Sequence, residues 1–538
     1  MSLLRLASVA ILLCAVSVGA GADDVAPPQP IESVVDRFID ERLREDGVTP
    51  APAADDATIL RRLTLDLAGR IPTLGELDAY TSSTDPDKKT KLVDRLMASP
   101  GFVRHQAAEF DRLLMNGYRG SVREYLLTAF AENRGWDKVF RDLLLADDAD
   151  PGRKGAIDFL KQRVKDTDRM TAEVSSIFFG VNVSCAQCHD HPLVPDWKQE
   201  HFFGLKSFFA RTFDNGGFVA EREVGVVKFL TTKGVSHDAR LMFLTGAAVE
   251  TPTAREPTSE ERKRDKELFD GFKSRKAAPP RPKFSARAQL VDISLRPDQR
   301  GFFAKSIVNR VWHRLFGRGL VMPLDQMHAE NPPSLPELLD ALANDVAEHG
   351  YDVRRLIRGL VLSQSYARSS RWDGKEPPNP ALFAVARPRV LTPLQLTTAL
   401  RIATADPEPL AAMHDGAAFE KRIASLESSA RGFASSLDQS GDDPQIGVSE
   451  SLLFSNSDRF QKEFLADGGD RLLTRLAKIS DRGELVETAV RCVLSRSATA
   501  EEKQLLGEYV ARREDRKTEA CRQLLWALLT GAEFRFNH

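Results

Sequence analysis

The sequence predicts a mostly α fold, with two helical domains and a small β insert between them. Three observations predict it. Apolar residues recur at helical spacing from about Val34 to Phe213, and again from Phe302 to the C-terminus. β-branched and aromatic residues crowd into short runs only between Gly217 and Gly246. A charged, Pro-rich stretch from Thr251 to Lys283 parts the two helical halves. A chain of 538 residues also exceeds what one core usually holds.

The elements follow in order. Arg5 precedes an apolar run, Leu6 to Val18, which ends in Gly19-Ala20-Gly21-Ala22; this is the pattern of a signal peptide over residues 1–22. An uncut N-terminal anchor is the alternative. No later run supplies the ~18 apolar residues of a membrane span, so the mature chain is expected to be periplasmic or secreted, with no stable span. Residues 33–213 form the first helical domain, where Thr73-Leu74-Gly75-Glu76 reads as a capping box. Residues 214–250 form the β insert, carried by Val224, Val226, Val227, Phe229 and Leu230. Residues 251–284 are a solvated linker with room for one polar helix. In the second helical domain, 285–538, Ser334-Leu335-Pro336-Glu337 reads as another capping box and Asp352 as the cap of the next helix.

A net charge of −2 with 28% charged residues speaks against a nucleic-acid partner. No Ser-His-Asp order, phosphate loop or His-Glu-x-x-His is present, so motifs leave open whether the chain is an enzyme.

The chemistry-bearing motif is Cys185-Ala186-Gln187-Cys188-His189. Two thiols three residues apart lie on one side of a helical turn, where both reach the vinyl groups of one porphyrin and the adjoining imidazole reaches the iron. Cys-x-x-Cys-His is accordingly the c-type haem attachment signature. On this reading Cys185 and Cys188 are covalent anchors for one haem c, His189 is the proximal iron ligand and a redox protein is the expected partner. Zinc held by Cys185, Cys188 and His191 is the alternative, as is a disulfide between the two cysteines.

The far face of the iron has several candidates. His191 precedes Pro192 and suits a supporting role. His201 sits on a stripe with Trp197, Leu205 and Phe208, in a helix that Asp196 and Gln199 are placed to cap, and it is either the distal ligand or a core histidine bonded to backbone. Met170, Met115 and His105 are weaker candidates. Phe178, Phe179, Trp197, Phe202, Phe203, Phe208 and Phe209 suit a haem pocket and an ordinary core equally well. Cys492 and Cys521 read as buried thiols, with a bridge between them as the alternative.

The run Phe179-Gly180-Val181-Asn182-Val183-Ser184-Cys185-Ala186-Gln187-Cys188-His189-Asp190-His191-Pro192, followed by Trp197 and Phe202-Phe203-Gly204-Leu205, resembles large secreted planctomycete proteins that carry a "planctomycete cytochrome" domain of unknown function. The C-terminal half resembles their companion "planctomycete secreted" domain. It does so through Asn309-Arg310-Val311-Trp312, Leu315-Phe316-Gly317-Arg318-Gly319-Leu320-Val321, Asn331-Pro332-Pro333-Ser334, Pro336-Glu337-Leu338-Leu339, Ser365-Tyr366 and Glu533-Phe534-Arg535-Phe536-Asn537-His538. The resemblance implies no reaction. Relatives often carry His at Leu335 and near Glu109, which makes those two positions poor ligands here. Arg310, Trp312, His313 and Arg318 are the second candidate site, since guanidinium and aromatic groups bind anions and sugars. A binding or hydrolytic role on an extracellular polymer is the alternative function.

Overall fold

The computed structural model describes residues 29–145, 150–191, 194–413, 416–437 and 448–538. The expected signal peptide lies outside the described residues. Helices dominate from Ile31–Glu45 to Lys517–Thr530, with strands only in short antiparallel pairs.

Several helix starts have the local cause read from the sequence. Thr73 accepts from the Glu76 amide and the Glu76 carboxylate accepts from the Thr73 amide, opening Leu74–Ser82. Asp352 accepts from the Arg355 amide at the start of Val353–Leu362. Ser334 is different. Pro336–Glu348 begins without a side-chain cap: its cap position is Leu335, one residue past Ser334, and the Ser334 hydroxyl instead donates to the Leu320 carbonyl at 3.2 Å.

The β insert is a set of hairpins: Thr212–Asp214 with Val219–Glu221, Val227–Leu230 with Ser236–Ala239, and Leu241–Met242 with Ala248–Val249. The polar helix after it, Ser259–Ser274, is capped by Thr258 and Glu261. A fourth pair, Arg389–Val390 with Phe536–Asn537, brings the C-terminus back into the fold.

Two apolar cores organise these elements. The larger runs from Ile31 to Ala384, so the helix Gly301–Phe316 buries Phe303, Ile307, Val311, Trp312 and Leu315 among the N-terminal helices. The smaller gathers residues 391–534 and takes Leu65 and Ile71 from the N-terminal half. The 251–284 segment therefore separates the halves in sequence but not in packing. Periodicity marks which face of a helix is apolar, not which distant face it meets.

Candidate functional site

The segment leading to the cysteines is built from both halves. The helix Thr167–Val174 widens into a π-turn, Ser175–Phe179, a geometry that frees backbone carbonyls. Arg310 donates to two of them, Nε to Ile177 O at 3.1 Å and Nη2 to Ser176 O at 2.5 Å, and Ser306 Oγ donates to Ile177 O at 3.1 Å. Gly180 ends the turn at φ +66°, where a Cβ would lie 2.8 Å from Met327 Sδ. Only glycine fits both the left-handed backbone and that contact. The chain then runs against the 325–328 loop: Met327 N donates to Gly180 O at 3.0 Å and Asn182 N to Asp325 O at 2.7 Å.

Cys185 and Cys188 follow on a single 3-10 turn, Ser184–Gln187 with Cys188 as its cap. Val183 and Ala186 point into the core, and both thiols face outward, exposed and unbridged. The turn is held by its backbone. Gln199 Nε2 donates to Cys188 O at 3.0 Å, and Asp190 Oδ1 accepts from the Gln199 amide at 2.9 Å, which opens the helix Gln199–Ser207. Asp190, rather than Asp196, thus satisfies that helix start. Asp196 Oδ2 is used elsewhere, accepting from the Ala329 amide at 3.3 Å.

The histidines differ in which ring nitrogen holds the proton. His189 Nδ1 lies 2.7 Å from the Asp190 carbonyl. A carbonyl only accepts, so Nδ1 donates and the lone pair of the neutral ring sits on Nε2, on an exposed side chain. A donor bond of this kind from the second nitrogen orients histidines that bind metals. His191 and His201 have the opposite arrangement. Each accepts at Nδ1 from a backbone amide, Val194 N and Lys198 N respectively, both at 3.1 Å. Their neutral rings therefore carry the proton on Nε2. Burial also lowers the His201 pKa, favouring its neutral form. As placed, neither presents a lone pair at Nε2.

Most of the expected pocket aromatics are core. Phe178, Phe179, Phe202, Phe208 and Phe209 are fully buried, and Phe178 packs against Trp136, Phe140 and Phe159. The apolar surface beside the cysteine turn comes from the β insert instead. Phe203 stacks on Phe229 at 4.4 Å, and Gln199 Nε2 lies 3.0 Å from Cys188 O and 3.5 Å from Leu230 O. Leu230 and Val235 stand 64% and 51% exposed there.

Met170 is buried in the core, and Met115 lines a groove of about 1130 Å³ that also touches Ser184 and Gln187. His105 lies apart from the cysteine turn, in a second cleft beside Glu109. A residue the sequence reading missed is His328. It arrives on the 325–331 loop beside His191 and Asp196, with a buried, unpartnered Nδ1, and burial and His191 lower its pKa. Only the tertiary contact of that loop with Gly180 and Asn182 signals it. Among the described residues no group of three His, Cys, Asp or Glu side chains converges to hold a metal ion, Cys185, Cys188 and His191 included. Cys492 and Cys521 are unbridged and buried, and burial pushes the Cys492 thiol up to about 12.

The C-terminal motifs meet at Asp66 of the helix Asp56–Ala68. Arg389 binds this carboxylate through two bonds of 2.8 and 2.7 Å, Tyr366 OH donates to it at 2.6 Å and Asn537 Nδ2 at 2.9 Å. Arg62 ties the Tyr366, Arg368 and His538 carbonyls together. Asn309 explains its own neighbours: its side-chain amide donates to Val321 O at 2.9 Å and accepts from Val321 N at 3.0 Å, clamping the loop that follows Gly317.

Two family models match the chain. Residues 34–214 match PSCyt2, a protein of unknown function (DUF1549), and residues 286–426 match PSD1, a protein of unknown function (DUF1553). This is the pair of domains that the resemblance implies, and the contacts of Arg310 and Asp325 with the cysteine segment show the two matched regions interlocking at the motif. No curated protein and no solved structure matches. No helix among the described residues is long and apolar enough to cross a membrane.

Proposed function

We propose that the protein is an exported haem c protein with an electron-transfer or redox role, served by a redox partner protein. Cys185 and Cys188 are the covalent anchors and His189 is the proximal ligand. One observation carries the reading: His189 donates through Nδ1 to Asp190 O and so keeps its Nε2 lone pair outward, on the exposed turn that presents both unbridged thiols. The exposed Leu230 and Val235 offer apolar surface beside the anchors. When bound, the haem iron supplies one-electron exchange. The chain's own work is to hold the turn, orient the imidazole and cover part of the porphyrin.

On the far face, His328 is favoured over His201, because His201 Nδ1 already accepts a backbone bond whereas His328 Nδ1 has no partner. The test is expression in a host with haem c maturation. Haem is expected to stay with the chain on a denaturing gel, and to be lost in Cys185→Ala/Cys188→Ala. His328→Ala should change the iron's absorption spectrum and His201→Ala should not. Stoichiometric zinc without iron would overturn the proposal in favour of the metal reading at Cys185, Cys188 and His191.

A further inference from the structure

The second cleft, about 540 Å³, lies between the helices Pro100–Met115 and Gly301–Phe316 and the Arg387–Pro393 segment. Six arginines line it, Arg112, Arg310, Arg314, Arg318, Arg387 and Arg389, against two carboxylates, Asp66 and Glu109. The bland explanation is a structural ion cluster, and part of the cleft is one. Arg389 is held by Asp66, Arg112 lies 3.3 Å from Glu109, and Arg310 is spent on the π-turn carbonyls.

The remainder is not explained this way. Among the described residues no ion pair joins Arg318, Arg387 or Arg314 to a carboxylate. Arg314 donates one bond to the neutral Gln106 at 2.7 Å, while the Nε atoms of both Arg314 and Arg318 are buried without a partner. Burial lowers the Arg314 pKa; the nearby Glu109 and Asp66 carboxylates partly offset this, and the like charges of Arg112 and Arg389 add to the lowering. The backbone is shaped to bring these groups together. Gly317 ends its helix at φ +72°, and a Cβ there would lie 3.1 Å from both Arg387 Cβ and Arg389 Cγ. Gathering unpaired guanidinium groups in a concave site costs repulsion that an anion relieves, and planar guanidinium forks match carboxylate, sulfate and phosphate oxygens.

We infer that this cleft is a binding site for a ligand carrying two or more oxyanion groups, held chiefly by Arg314, Arg318 and Arg387. The cleft shares Arg112, Arg310, Met322 and Leu324 with the groove that reaches Ser184 and Gln187. A bound ligand therefore lies along a path towards the cysteine turn, although the inference does not depend on haem being present.

Calorimetric titration of the full mature chain at low ionic strength tests it, with citrate, pyrophosphate and an oligogalacturonate as separate probes. At least one probe is expected to bind with micromolar affinity, weakening as salt rises, and the arm that binds tightest names the source of the oxyanion. Arg318→Gln/Arg387→Gln should weaken it at least tenfold with an unchanged melting temperature. Arg255→Gln, whose guanidinium pairs with Glu261 outside the cleft, should leave it unchanged. Failure of all three probes to bind at millimolar concentration would overturn the inference, as would equal binding by the double variant.

Discussion

The cysteine turn and the Asp66 cluster are both dense in motif residues, yet they point them in opposite directions. At the turn the backbone is fixed, by Asp325, Met327, Asp190 and Gln199, while Cys185, Cys188 and His189 face outward. At Asp66 the side chains themselves are consumed: Arg389, Tyr366 and Asn537 all end on one buried carboxylate. The difference separates side chains left open to solvent from side chains consumed in holding the fold. A side chain whose hydrogen-bonding capacity is already used inside the protein has none left for a ligand.

The sharpest way to break this contrast is to empty the buried side. Asp66→Ala leaves the Arg389 guanidinium without its carboxylate, and should cost about 3–5 kcal/mol in chemical denaturation. Cys188→Ala, on an exposed turn, should cost under about 0.5 kcal/mol. Similar losses would erase the distinction.

Acid should find the buried side as well. Burial alone raises the Glu76 pKa, but the charge and bonds of Arg70, the Thr73 amide and Arg95 together bring it down to about 2. A lowered carboxylate stabilises the fold fully above its unfolded value near 4.5, and that contribution, of order 3 kcal/mol, fades as pH falls towards 2. Glu76→Gln should flatten the dependence of the melting temperature on pH over that interval.

Smaller effects probe how the turn is held. Gly180→Ala meets both the positive φ and the Met327 sulfur, and should cost about 1–3 kcal/mol. The haem stain should weaken with it if the approach to the turn matters for attachment. Asp190→Ala removes the bond to the Gln199 amide and should cost about 1 kcal/mol. Hydrogen exchange should show faster exchange at Gln199 and little change at Arg355, whose amide is held by Asp352.

Much of this was legible in the sequence because its causes are local. The helical halves, the hairpin insert, the Thr73 and Asp352 caps and the placing of both cysteines at one turn all follow from spacings of a few residues, whereas His189 follows just after that 3-10 turn and not within a helical turn. Tertiary structure decided the rest. His328 reaches the motif only because its loop docks on Gly180 and Asn182, and the six arginines of the cleft come from three separated segments. The Gln199 amide is taken by Asp190, not Asp196, whose carboxylate accepts from Ala329 of the other half. Residue spacing fixes which side of a turn a group occupies and can supply a near neighbour such as the Asp190 carbonyl for His189. But the partners at Asp66 and along the 325–328 loop come from distant parts of the sequence, which only the fold brings together.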